Sequence, residues 1–176
     1  MVTSHVFIAT SLDGFIARED GDIGWLLERD DPAEDHGYDA FIDDKDVVVM
    51  GRGTYESMRD VTPWPYTRPV VVLSATLKQA GQPTGPRVRF TDAAPSQVMQ
   101  DLETEGVRRV YVDGGRVIQS FLRAGLIADM VITTVPVLLG QGRRLFDSLP
   151  GDIALVHETT RSFPSGLVQS RYIIPA

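Results

Sequence analysis

Two stretches decide how this chain folds: Val48-Val49-Met50-Gly51-Arg52-Gly53-Thr54-Tyr55-Glu56 and Val110-Tyr111-Val112-Asp113-Gly114-Gly115-Arg116-Val117-Ile118. Each begins as a short apolar run rich in β-branched residues, meets glycine, and continues into residues that suit a helix. That is the pattern of a strand–turn–helix junction. At such a junction the first backbone N–H groups of the helix have no partner within it, and the helix dipole favours an anion there. Glycine lets an anion approach the backbone closely, and Arg52, Arg116 and Thr54 add side-chain donors. Two junctions of this kind point to two phosphate groups on one elongated ligand, as in a dinucleotide. The alternative is that the glycines only turn the chain, since neither stretch fits G-x-G-x-x-G or the Walker form.

Working outward, Val6–Ala9 reads as a buried strand, followed by the turn-rich Asp13-Gly14 and Glu19-Asp20-Gly21-Asp22. Asp31-Pro32 reads as a helix start, with the helix running to about Ile42 and carrying Tyr38, Phe41 and Ile42 on one face. Val47–Met50 and Val70–Leu73 are buried strands. Pro63-Trp64-Pro65 between them excludes a helix interior or a central strand. Phe90 marks a short strand. Pro95–Glu105 is a helix stopped by Gly106, Val107–Val112 a strand, and Val117–Ala124 a helix stopped by Gly125. Met130–Val137 is a strand, and Ala154–Ser162 with Leu167–Ile174 frame Pro164-Ser165-Gly166 as a hairpin.

Apolar strands that do not alternate, separated by helices, predict a mostly parallel sheet covered on both faces. The terminal hairpin adds antiparallel edge strands. The expected architecture is α/β, a three-layer α/β/α domain spanning 1–176, with ligands at the carboxyl ends of the strands.

Composition narrows the function. The 176 residues carry 17 basic and 24 acidic side chains, a net charge of −7 that argues against sequence-independent nucleic-acid binding. With 43% hydrophobic and 23% charged residues the chain is too apolar and too evenly mixed for disorder. A domain of this length buries roughly 70% of its unfolded surface and needs no staple. The absence of cysteine excludes disulfides, zinc ribbons, iron–sulfur clusters and thiolate nucleophiles. His5, His36 and His157 lack metal-ligand spacing, so no metal is expected. The start carries no Lys or Arg, and the longest apolar stretch, Met130–Leu139, is half the ~20 residues of a membrane span. A cytoplasmic protein without membrane contact is expected.

Met50-Gly51-Arg52-Gly53-Thr54-Tyr55-Glu56-Ser57 and Val70-Val71-Val72-Leu73-Ser74 resemble the turn, helix and following strand of dihydrofolate reductases, and Asp113–Ile118 resembles that fold's second glycine turn. Ser11-Leu12-Asp13-Gly14-Phe15-Ile16, Phe121-Leu122-Arg123-Ala124-Gly125-Leu126-Ile127 and Pro136–Phe146 resemble more specifically the reductase domain of riboflavin biosynthesis and its stand-alone relatives. The resemblance runs from about residue 5 to 174.

It implies NADPH binding and hydride transfer. On that reading Gly51, Arg52, Gly53 and Thr54 hold phosphate, and Leu73 and Ser74 lie at the adenosine end, with Ser74 and Arg52 candidates for the 2′-phosphate. Gly114, Gly115, Arg116, Val117 and Ile118 wrap the pyrophosphate, and Ala9 and Ile16 line the nicotinamide. The accepting heteroatom needs a proton, usually from a carboxylic acid of raised pKa or a water held by one. Asp13, beside the implied nicotinamide site, and Asp35, where dihydrofolate reductases carry their pterin-binding carboxylate, are the candidates. The alternatives are a turn residue for Asp13 and a solvated acidic stretch for Asp35.

Substrate candidates are Trp25 as a ring cap, Arg68 where folate enzymes hold a carboxylate, and Arg143 in a loop with Arg144 that could meet a phosphate. Each has an ordinary alternative in packing, surface exposure or a turn. The expected substrate is a small heteroaromatic or imine compound, a riboflavin-precursor pyrimidine or a pterin. A non-catalytic NADP(H)-binding protein and a true dihydrofolate reductase are the other readings. His36-Gly37 departs from the apolar pattern of a folate site. The resemblance and the apolar Met130–Leu139, taken as a sheet edge, also predict a homodimer.

Overall fold

The computed structural model describes residues 1–29, 31–81 and 87–175. Its elements run β1 (Thr3–Ser11), β2 (Phe15–Ala17), α1 (Gly24–Leu27), α2 (Tyr38–Asp43), β3 (Val47–Gly51), α3 (Arg52–Met58), β4 (Val70–Leu73), α4 (Ala75–Ala80), β5 (Val88–Thr91), α5 (Pro95–Thr104), β6 (Arg109–Asp113), α6 (Gly115–Arg123), β7 (Ile127–Val135), β8 (Arg143–Arg144), β9 (Val156–Ser162) and β10 (Val168–Ile173).

Eight strands form one sheet in the order β5-β4-β3-β6-β1-β7-β10-β9. The six from β5 to β7 are parallel, and β10 and β9 close the sheet antiparallel. Helices cover both faces. On one, Val98, Met99 and Leu102 of α5 and Val117, Ile118, Phe121 and Leu122 of α6 pack on Val49, Val71, Val110 and Val112. On the other, Ile42 of α2, Tyr55 of α3 and Leu77 of α4 meet Val48, Met50, Val70, Val72 and Tyr111. Alternate residues of β3 thus enter opposite cores, which is why the run is apolar without a break. A smaller cluster, Trp25, Val135 and Leu167 with Ala9, Val137, Leu139 and Phe163, lies over β1 and β7. The three-layer, mostly parallel fold is therefore as the strand pattern predicts.

Three expectations need correction. The helix from Asp31 to Ile42 does not form as one piece. The Asp31 side chain accepts from the Ala33 amide at 2.9 Å to make a turn, and Gly37 at φ 80° blocks helix propagation, so α2 starts at Tyr38. Second, Met130–Val137 is not a sheet edge. β7 is paired to β1 on one side and β10 on the other, and the edges are β5 and β9, the latter with all of its residues exposed. The geometric motive for a dimer through that segment is gone. Third, a two-stranded sheet of β2 and β8 escaped the pattern, because runs of three and two residues leave no periodic signal.

Among the described residues no helix is long and apolar enough to cross a membrane. Phe121 is fully buried at the centre of the α5–α6 core. Phe121→Ala should lower unfolding free energy by about 3–5 kcal/mol, read as a lower midpoint in urea with an unchanged slope.

Candidate active site

β3 and β6 are neighbours, with Met50 opposite Asp113. From β3 the chain leaves through α3 to β4 on one side. From β6 it leaves through α6 to β7, beyond β1, on the other. The two glycine junctions therefore sit side by side where the winding of the sheet reverses, the place where open α/β sheets form a ligand crevice.

Packing between the junctions is tight. A Cβ on Gly51 would lie 3.1 Å from Val117 Cγ2, and one on Gly114, at φ +88°, would strike Thr54 Oγ1. A Cβ on Gly115 would lie 2.8 Å from Ile16 Cδ1 and 3.0 Å from the Arg144 carbonyl oxygen. Val117, Thr54 and Ile16 thus each pack against one of these glycines, so turning and packing account for part of their presence. The α6 ladder begins with Ile118 N–H donating to the Gly114 carbonyl at 2.9 Å. The amides of Gly115, Arg116 and Val117 precede it and have no helical acceptor. Arg116 is exposed, with no ion pair among the described residues.

Around α3, Arg52 reaches Glu56 at 3.7 Å in an exposed pair that leaves its guanidinium available. Gly53 is exposed beside it. Arg143 donates to the Glu19 carbonyl at 3.1–3.2 Å, and its guanidinium comes within 3.7 Å of where a Gly53 Cβ would be. It therefore stands at the α3 turn with the expected phosphate-binding residues. Arg144 stacks on Phe15, 4.6 Å from the ring centroid. Leu73 aligns with Gly51. Ser74 caps α4, its Oγ accepting from Leu77 N–H at 3.1 Å, which leaves its hydroxyl proton for another acceptor.

Asp13 is a loop clasp. Its carboxylate accepts from Ser11 Oγ at 2.6 Å, Gly140 N–H at 2.7 Å and Leu139 N–H at 3.1 Å. The Ser11 hydroxyl above all, then the two amides, outweigh burial and hold the carboxyl down at about 2. A group so easily ionised does not itself keep a proton to donate near neutral pH. Asp35 is exposed and closes a local turn, accepting from Gly37 N–H at 2.7 Å. Its neighbour Glu34 is pinned to the hairpin turn by Ser165, through N–H at 2.7 Å and Oγ at 2.5 Å. Arg68 caps the carboxyl end of α2, donating to Ile42 O at 3.2 Å, Asp43 O at 2.8 Å and Asp43 Oδ1 at 3.2 Å. Its Nε and Nη2 are thus engaged at the end of α2. Trp25 is buried beside Ala9 and Val135 near the carboxyl ends of β1 and β7, and its indole N–H has no partner among the described residues.

The carboxyl that sequence reasoning passed over is Asp113. It ends β6, directly before the Gly114 turn, and faces the α2 side of the sheet. Tyr66 O–H donates to its Oδ2 at 2.8 Å. Tyr111 lies beside it and donates its own proton to the Phe7 carbonyl at 3.0 Å. Burial pushes Asp113 above the usual carboxylate range, against the pull of the Tyr66 hydroxyl, the Gly114 amide and the Tyr111 phenol. Desolvation, with the Asp113 charge added, raises Tyr38 to about 12. The residue is nevertheless partly accessible. Its signal was present: an acidic residue closing an otherwise apolar strand, immediately before Gly-Gly.

The RibD C-terminal domain family model matches residues 3–168, and the chain belongs to that family. The uncharacterized protein YwjB of Bacillus subtilis strain 168 is 32% identical over 170 residues, 96% of this chain and 95% of its own length. A candidate riboflavin biosynthesis protein from Shewanella sp. PV-4 superposes with TM-score 0.91 at 36% identity, covering 99% of this chain and all of that one. A deaminase/5-amino-6-(5-phosphoribosylamino)uracil reductase from Thermotoga maritima shares the fold, with TM-score 0.76 and 13% identity, this chain covering 57% of its length.

The geometry at Gly114 yields a test. Gly114→Ala should lower the melting temperature, because it forces an alanine to positive φ and against Thr54. Thr54→Gly in the same chain should recover only part of the loss, since it removes the collision and leaves the backbone strain. Full recovery in a thermal melt would locate the whole cost in the side-chain contact.

Proposed function

We propose that this protein is an NADPH-dependent reductase that delivers a hydride to a C=N or C=O carbon of a small heteroaromatic or imine substrate. The observation that carries the reading is the pairing of β3 with β6. It sets two glycine junctions and a half-buried acid side by side at the reversal of the sheet. Family membership and the likeness to the Shewanella protein support placing the substrate near riboflavin-precursor pyrimidines. Dihydrofolate is less favoured, because Asp35 and Arg68 are engaged in local contacts.

The residues fit a dinucleotide phosphate. The free amides at the start of α6, the exposed Arg116 beside them, and Arg52 and Arg143 at the α3 turn supply donors and positive charge in an otherwise acidic chain. Arg52 and Ser74 are the groups for a 2′-phosphate, and preference for NADPH over NADH rests on them. When bound, the cofactor supplies a hydride from C4 of its nicotinamide. Ile16 and Ala9 are the apolar side chains for that ring. Trp25 covers Ala9 and offers its N–H to an incoming acceptor. By clasping Leu139 and Gly140, Asp13 holds the wall that keeps water out.

Asp113 takes the role first expected of Asp13 or Asp35. It carries a proton at higher pH than a free aspartate and releases it to the heteroatom that becomes basic as its carbon accepts hydride. The sign follows directly: with a raised pKa and the acid as the working form, the rate holds at low pH and falls as pH rises through the Asp113 midpoint.

Titration of the protein's tryptophan fluorescence with NADPH measures affinity. Arg116→Ala should weaken it about 10-fold. Asp113→Asn should leave affinity within about 2-fold while cutting NADPH oxidation, over a panel of pyrimidines and pterins, by about 10²–10⁴-fold. Unchanged affinity in both Arg116→Ala and Gly114→Ala would remove the cofactor assignment. Tight binding with no oxidation across the panel would favour a non-catalytic binding protein. The proposal includes a homodimer in the cytoplasm, and sedimentation as a monomer at micromolar concentration would remove the dimer.

A further inference from the structure

We propose that Tyr66 is a positioning residue whose phenol fixes the Asp113 carboxyl and sets the pH at which that carboxyl exchanges its proton. This rests on the reading of Asp113 as the proton source, and adds the group that makes such a carboxyl usable.

Tyr66 comes from the Pro-rich connection between α3 and β4, so the hydrogen bond joins residues 47 apart in sequence. The connection is held from behind by rings. Trp64 lies 5.4 Å from Tyr66 and 6.3 Å from Tyr55, which is buried under α3. The phenol therefore arrives at Asp113 on a braced support rather than as a free side chain.

The groups facing Asp113 from each neighbouring element are few. Tyr66 comes from the connection, Tyr38 from α2, Tyr111 from β6 itself, and the Gly114 amide from the turn. Met50 is opposite on β3. Asp113 makes no ion pair among the described residues. Tyr111 also donates to the Phe7 carbonyl at 3.0 Å, whereas Tyr66 gives its proton to the carboxyl at 2.8 Å. Without it, a carboxyl in this setting is driven further toward its neutral form, because the Tyr66 hydroxyl is the largest of the contacts that favour the anion, ahead of the Gly114 amide and the Tyr111 phenol. A carboxyl that never ionises cannot be reprotonated between turnovers. The bond also distinguishes the two oxygens. Oδ2 is the one that accepts from the phenol.

The test is to label the full chain with aspartate carrying ¹³C at the carboxyl carbon and to titrate Asp113 by NMR, assigning its signal by its loss in Asp113→Asn. Tyr66→Phe keeps the ring and removes only the hydroxyl. It should raise the Asp113 midpoint by about 1 pH unit and move the alkaline limb of NADPH oxidation up by the same amount. Replacing Tyr66 with 3-fluorotyrosine, a stronger donor that preserves the packing, should move both the other way. Trp64→Phe, which disturbs the brace but keeps the phenol, should move the midpoint far less than Tyr66→Phe. An Asp113 midpoint unmoved by Tyr66→Phe and by fluorotyrosine overturns the inference, as does an equal movement in Trp64→Phe. The NMR reading needs no substrate. A shifted midpoint in a protein that oxidises no NADPH refutes the reductase reading while leaving Tyr66's hold on Asp113 established. An unmoved midpoint in an active reductase refutes the role of Tyr66 alone.

Discussion

The pairing of Val47–Met50 with Val110–Asp113 is the constraint on which the rest of the molecule depends. It joins two buried strands whose side chains feed both cores, so the register cannot slip by one residue without exchanging the face each valine enters. Fixing the register fixes the height at which each strand ends. The ends are glycine turns, and the turns are so close that Thr54 occupies the place of a Gly114 side chain. The start of α3, the start of α6 and the short strand β2 carrying Ile16 thus meet as a result of core packing. The hydrophobic core and the site are one piece of geometry.

Two aspartates show how environment divides identical chemistry. Asp13 meets a hydroxyl and two amides and stays an anion. Asp113 is surrounded by phenols and apolar side chains, and its burial favours the neutral acid. In sequence Asp13 looked the better acid, since it lies in a loop of the implied nicotinamide site. Its partners, Leu139 and Gly140, are more than a hundred residues away and could not be anticipated from its neighbours.

The same distinction explains what the chain made legible. The strands of the parallel sheet declare themselves, because unbroken valine runs have no other comfortable home in a protein of this size. The helices α5 and α6 declare themselves through Pro95 and through glycines at their ends. The glycine junctions are visible because turns are local. What stays hidden is long-range or brief. The pairing of β2 with β8 rests on two short runs far apart, and Arg68 reveals itself as a helix cap only once α2 is seen to end at Asp43. Arg143 likewise joins the α3 turn only through the fold. Tyr66, in a Pro-rich connection that predicts no regular structure, gives no hint of its reach to Asp113.

The loops after β1 and β7 are joined twice, by the Asp13 carboxylate at one end and by the β2–β8 pairing at the other, with the Ala17 carbonyl filling the space where Gly142 lacks a side chain. Two separate loops would each lose conformational freedom when a ligand ordered them. Fastened together, they have lost most of it during folding, so the entropic penalty of closing over a small molecule is largely met before the molecule arrives. A wall made this way is pre-organised by the chain, and it needs little help from its ligand to hold its shape.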